Sequence, residues 1–124
     1  MKVAIVGSRS GVDTVPVWEY VMALPAGTTV VSGGAYGVDV VAERAAKHRG
    51  LPTIIFKPDW QAHGKRAGFL RNEQIVAAAD RVVAFWNGSS RGTMLTVDIA
   101  RAAGKSVEII LPSGESAASK EEGG

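Results

Sequence analysis

Cysteine is absent from the chain, which removes disulfides, thiol nucleophiles and thiolate zinc sites together. Histidine is nearly so: with only His48 and His63 a histidine-built metal cluster is excluded, and a Ser-His-Asp arrangement survives only in principle. No apolar run approaches the ~18 residues that a membrane span requires. The opening stretch MKVAIVGSRSG is too short and too soon broken to be a secretory signal, and reads as a strand that starts at once. Excess charge is small, since 14 Lys+Arg against 12 Asp+Glu leave +2. That balance permits an anionic ligand but is far from the basic tail of a nucleic-acid binder. The absences point to a cytoplasmic protein with no metal, no membrane contact and no required cofactor.

What is present is ordered alternation. The 124 residues, 46% of them hydrophobic, suffice for one domain with a core of its own. Strands are expected at 2–7, 28–32, 52–57, 80–86 and 106–111, each nearly continuous in β-branched and other apolar residues. Continuous rather than alternating strands are those covered on both faces. Helical spacing of apolar residues fills 15–24, 38–49, 68–79 and 93–103 between them. Asp13 or Thr14 can cap the first helix, with Pro16 in its first turn, while Gly50 and Gly104 follow the second and fourth. This pattern predicts an α/β fold, a single Rossmann-like three-layer domain with a five-stranded parallel sheet and helices on both faces. It spans residues 1–111. The remainder, 112–124, is small, polar and charged and reads as a disordered tail.

In such a sheet a ligand lies beyond the carboxyl ends of the strands. The segments there are GSRSG (7–11), GGAYG (33–37), the long 57–72 loop and NGSSRGT (87–93). Three are rich in Gly or Ser and lead into a helix, whose first N–H groups favour anions. One such loop is routine turn chemistry. Three at one edge, joined by Arg9, Lys65, Arg66, Arg71 and Arg91, read better as an anion cradle. None is a GxGxxG or GxxxxGK[ST] loop, so neither a dinucleotide fingerprint nor a Walker-type nucleotide site is present.

The 57–72 segment is longer than a crossover needs. Trp60 can stack on a base or cover a core edge, and His63 reads as a polar loop residue. Arg71 and Asn72 lie early in a helix facing the cleft and are read as ligand contacts. Trp18, Tyr20, Phe85 and Trp86 are expected in the core, Trp86 at the cleft floor. Asp39, just inside the second helix, is the best-placed carboxylate: it can hold a ribose hydroxyl, or simply complement the helix dipole.

VGSRSG, SGGAYGVD, PDWQAHGKRAGFLRN and the SSRGT turn, in this order and spacing, resemble the YspA, cpYpsA-related SLOG family. That family belongs to a wider superfamily with the DprA/Smf and lysine-decarboxylase-like LOG proteins. The resemblance spans roughly residues 2–111 and implies a Rossmann-like fold binding nucleotides or nucleotide-derived ligands. It implies that Gly7, Ser8, Arg9, Ser32, Gly33, Gly34 and Asp39 line the site. Arg71, Asn72, Gly92 and Thr93 complete it, with Ser89, Ser90 and Arg91 in the same turn. LOG phosphoribohydrolases carry a PGGxGTxxE signature; here Thr96 stands in place of its glutamate and cannot ionise to do that work. The first expectation is therefore a module that binds an ADP-ribose-like molecule or mononucleotide as sensor or sequestering protein. The second is an N-glycoside hydrolase or transferase using Asp39 or Glu73. Single-stranded DNA binding in the manner of DprA ranks third, and a homo-oligomer is a further expectation.

Overall fold

The computed structural model describes residues 1–112, so the expected tail lies, beyond Pro112, outside the described residues. Five parallel strands form one sheet: β1 (Lys2–Gly7), β2 (Thr29–Ser32), β3 (Thr53–Ile55), β4 (Arg81–Phe85) and β5 (Ser106–Ile110). Their order is β3-β2-β1-β4-β5. β1 is central, with Ala4 in register with Val31 on one side and Val82 on the other. The helices are α1 (Val15–Met22), α2 (Val38–Arg49), α3 (Trp60–His63), α4 (Ala67–Ala78) and α5 (Arg91–Ala102). A 3₁₀ turn at Gly64–Arg66 joins α3 to α4.

The apolar strands divide their residues between two cores because successive side chains point to opposite faces. Val3, Ile5, Val30, Val83 and Phe85 pack with α1 and α2 residues such as Val17, Val21 and Ala42. Ala4, Val6, Val31, Val82 and Ala84 pack with Ile75 and Val76 of α4 and Val97 and Ala100 of α5. The sheet is thus covered on both faces, as the unbroken apolar runs require.

Local differences have physical causes. β3 is shorter than the expected 52–57 because its single partner, β2, ends at Ser32, in register with Ile55. Residues 60–66 form helical turns where a loop was expected: the Asp59 carboxylate caps the Ala62 N–H at 3.0 Å, and Gly64, at φ 57°, ends the turn. At α1 it is Asp13, not Thr14, that accepts a hydrogen bond, from the Val15 N–H. Trp18, expected in the core, lies on the surface of α1, its ring tilted against His48 at 5.5 Å. Trp86 is half-buried and donates its indole N–H to the Ser90 carbonyl at 3.0 Å. It braces the following turn instead of flooring the cleft, whose lining it does not join.

Candidate functional site

Strand order reverses between β1 and β4, where the chain leaves β1 toward α1 on one face and β4 toward α5 on the other. Crevices open at such a point. Here a cleft of about 350 Å³ lies between Gly7, Arg9 and Ser10 after β1, Asp39 of α2, Arg71 and Asn72 of α4, and Ser90 to Thr96 around the start of α5. Gly7 is required by packing: a Cβ there would stand 2.6 Å from both the Phe85 carbonyl oxygen and Val38 Cγ2.

Asp39 is the electrostatic centre. It is 95% buried. Its Oδ2 accepts the Ala35 N–H at 3.2 Å, and the Gly33 N–H also acts on the carboxylate. Its Oδ1, among the described residues, is the buried side-chain oxygen left without a partner. Burial pushes the carboxyl up to about 6, against the pull of the Ala35 N–H and of Arg71, with Glu43 adding to the rise. Arg71 donates through Nη1 to the Gly33 carbonyl at 2.8 Å and through Nε to Asn72 Oδ1 at 2.9 Å. Burial lowers its pKa; nearby Asp39 opposes this and nearby Arg9 adds to it. Gly33 is what lets acid and base approach, since a Cβ there would meet Arg71 Nη1 at 2.6 Å and Asp39 Oδ2 at 3.0 Å.

The other expected residues are placed as follows. Gly7, Arg9, Ser90, Gly92 and Thr93 line the cleft with Asp39, Arg71 and Asn72. Ser8 is buried just behind it, its hydroxyl accepting the Asn87 N–H at 3.1 Å. Ser32 is also buried and donates to Glu43 Oε2 at 2.6 Å, holding the end of β2 to α2. Gly33, Gly34 and Trp60 line a neighbouring groove. Ser89 and Arg91 are exposed and outside the cleft lining. Glu73 is exposed in a third groove with His63, apart from Asp39.

At the second loop the expected anion cradle is closed. The GGA turn does not offer its N–H groups to the cleft: they turn inward to the Asp39 carboxylate and, from Gly34 at 3.4 Å, to Ser32 Oγ. The anion held by that loop belongs to the protein. At the N-terminus of α5, by contrast, Gly92 lines the cleft and the first helical N–H groups have no intrahelical acceptor. Thr96 lines the cleft too, but its hydroxyl donates to the Gly92 carbonyl at 3.2 Å, a bond within the helix.

Asn87 escaped the sequence reading. Its Oδ1 accepts the Ser89 and Ser90 N–H groups at 2.9 and 2.8 Å, and its Nδ2 donates to the Ser10 carbonyl at 3.0 Å. It thereby ties the loop after β1 to the loop after β4 across the cleft mouth. An Asn directly after a strand and before Gly is an Asx-turn signal that could have marked it. Tyr36 and Lys57, beside Trp60 in the neighbouring groove, also escaped.

A family model described as the YspA, cpYpsA-related SLOG family matches residues 1–63. The Gene 61 protein of Mycobacterium phage D29 is 39% identical over 113 residues, covering 83% of this chain and 90% of its own. The chain belongs to the YspA, cpYpsA-related SLOG family. Among solved structures this SLOG domain is similar to DNA processing protein A (DprA) of Streptococcus pneumoniae, with a TM-score of 0.75, 24% identity and 88% of this chain covered. The chain spans only 50% of that protein's length. DprA of Helicobacter pylori, which binds single-stranded DNA, gives a TM-score of 0.73 at 23% identity, over 98% of this chain and 70% of that one. The X-ray structure of TM1055 gives 0.69 at 25% identity, over 86% and 71%. These likenesses show the α/β Rossmann-like fold. Among the described residues, no helix is long and apolar enough to cross a membrane.

Proposed function

We propose that this SLOG protein binds a nucleotide or nucleotide-derived molecule, of the mononucleotide or ADP-ribose kind, in the cleft between β1 and β4, as a sensor or sequestering module. The observation that carries this is the unpartnered Oδ1 of Asp39, a buried residue that lines the cleft with Arg9, Arg71 and Gly92 at the start of α5. A buried acceptor without a donor costs free energy that a bound hydroxyl or amino group returns. Cations and free helical N–H groups beside it favour phosphate. A molecule that carries both a hydroxyl and a phosphate satisfies the two together, and a ribose phosphate does so within one nucleotide.

Calorimetric titration with ADP-ribose and ADP tests the reading. Arg71→Ala should weaken binding by roughly 10- to 100-fold, the worth of a charged hydrogen bond to phosphate. Unchanged affinity in that variant would remove the cleft as the site.

A second reading is N-glycoside cleavage of the same ligand, favoured by an Asp39 carboxyl raised to about 6, near the range of a general acid or base. Glu73, in a separate groove, takes no part in it. Incubation followed by chromatography separates the two: intact ligand recovered in stoichiometric amount supports binding, and free base accumulating over time supports cleavage. Single-stranded DNA binding, the property of the H. pylori relative in fold, predicts instead an affinity that grows with oligonucleotide length and falls steeply with salt.

A further inference from the structure

A second groove of about 350 Å³ opens beside the cleft, and the two share Arg9, Ala35 and Arg71. Gly33 and Gly34 line it, and Gly34 has a φ of 71°, a conformation that excludes most side chains. Tyr36 and Trp60 line it; at 83% and 54% exposed they are more open than any other Phe, Trp or Tyr side chain among the described residues. Large aromatics left open in a concavity mark a contact surface more often than scattered surface residues do. Trp60 is also positioned, since it follows the Asp59 cap and its Cη2 lies 3.6 Å from where a Gly68 Cβ would stand. The groove is cationic: Arg9, Lys57 and Arg71 line it and no carboxylate does. The third groove, by contrast, mixes Lys57, His63 and Arg71 with Asp59 and Glu73.

Aromatic faces, positive charge and an absence of acids together suit a flat, electron-rich ring attached to phosphate. The shared arginines place that phosphate at the seam with the cleft. We propose that cleft and groove are two halves of one site, and that the ligand is a dinucleotide-class molecule: one nucleoside at Asp39, a bridging phosphate group at Arg9 and Arg71, and a second heteroaromatic ring between Tyr36 and Trp60. The assignment rests on the reading of the cleft as a nucleotide site and adds the second ring to it.

The test compares ADP with diadenosine diphosphate on the full chain, by calorimetry and by quenching of tryptophan fluorescence. Diadenosine diphosphate should bind about ten-fold or more tightly than ADP, the usual effect of one stacked base. Trp60→Ala and Tyr36→Ala should each erase that advantage while leaving ADP affinity and the unfolding midpoint unchanged, and Trp60→Phe should retain most of it. Equal affinities for the two ligands, or an advantage untouched by both alanine variants, would overturn the second half-site while the nucleotide cleft stands. No binding of either ligand would overturn both readings. Binding of a ten-residue oligothymidylate through Trp60 and Tyr36, with no preference for diadenosine diphosphate over ADP, would assign the groove to single-stranded DNA and end the dinucleotide proposal.

Discussion

Two loops follow the strands that flank β1 on either side, β2 and β4, and use their backbones in opposite ways. After β2, residues 33–37 lead into the 12-residue α2; after β4, residues 87–90 lead into the 12-residue α5. In the first, the N–H groups turn in upon Asp39 and Ser32. In the second, Asn87 gathers the Ser89 and Ser90 N–H groups and Ser90 Oγ takes the Thr93 N–H, leaving the start of α5 at Gly92 open to the cleft. The decisive difference is one side chain. An aspartate inside the first turn of α2 fills from within the position an incoming anion would take. The filled loop then offers the ligand a carboxylate, and the open loop offers it N–H groups. A site of mixed polarity results from two loops that each lead from a strand into a 12-residue helix.

The largest expected effect breaks the first loop. Gly37 has φ 79°, and a Cβ there would stand 2.8 and 2.9 Å from the Arg9 and Ser8 carbonyl oxygens. Neither backbone oxygen has room to yield. Gly37→Ala should lower stability on the order of 3 kcal/mol and carry the β1 loop out of place, so chemical denaturation and ligand binding should fail together. Stability within about 0.5 kcal/mol of the parent would show that the two loops are not in contact in solution.

Next in size is the charge on Asp39. Its folded pKa of about 6 lies above the ordinary 3.8, so the folded state takes up the proton first. Stability should therefore fall as pH rises from about 4 to about 6, by an amount on the order of 3 kcal/mol, and stay level above that. Asp39→Asn should abolish this slope without loss of stability at neutral pH, because its side-chain oxygen can still accept the Ala35 N–H. The ligand responds in the opposite sense. A donor bound at Oδ1 favours the ionised form, so affinity should increase as pH rises through about 6 in the parent. In the variant, with an amide in place of the acceptor, affinity should drop and lose its pH dependence. A parallel denaturation and calorimetry series from pH 4 to 8 checks both signs, and a flat stability profile in the parent would mean that Asp39 is solvated.

Much of this architecture could be read from the chain because it depends on periodicity. Continuous apolar strands meant a sheet covered on both faces, and helical spacing fixed α2 and α5 within a residue or two. The same continuity overextended β3, whose apolar run goes on past the point where its partner β2 ends. Trp18 was misjudged because helical spacing places a residue on a face without telling how far a large ring reaches out of the packing. The site was legible as a set of loops and not as a set of bonds. Sequence located SGGAYGVD and Asp39, but the closure of that loop upon its own aspartate is a matter of where N–H vectors point. Asn87 offered only a turn signal; its reach across the chain, in the bond to the Ser10 carbonyl, joins segments that no local pattern connects.

The smallest effects sharpen the contrast between closed and open loop. Gly33 precedes α2 and Gly92 lies in the first turn of α5, and a methyl group meets opposite surroundings at the two. At Gly33 it strikes Arg71 Nη1 at 2.6 Å; at Gly92 nothing lies within 4 Å. Gly33→Ala should thus displace Arg71 from the Gly33 carbonyl and weaken both fold and binding, by about 1–2 kcal/mol in stability. Gly92→Ala should leave the fold intact or stabilise it by a few tenths of a kcal/mol, because alanine suits a helix better than glycine. Its methyl would extend into open space at the edge of the cleft, so ligand affinity should fall only if a phosphate approaches the α5 backbone closely. A loss of roughly three- to ten-fold at unchanged stability is expected, about 1 kcal/mol of binding. If Gly92→Ala binds as the parent does, the phosphate rests on Arg9 and Arg71 alone, and the open loop is a helix start with no ligand of its own.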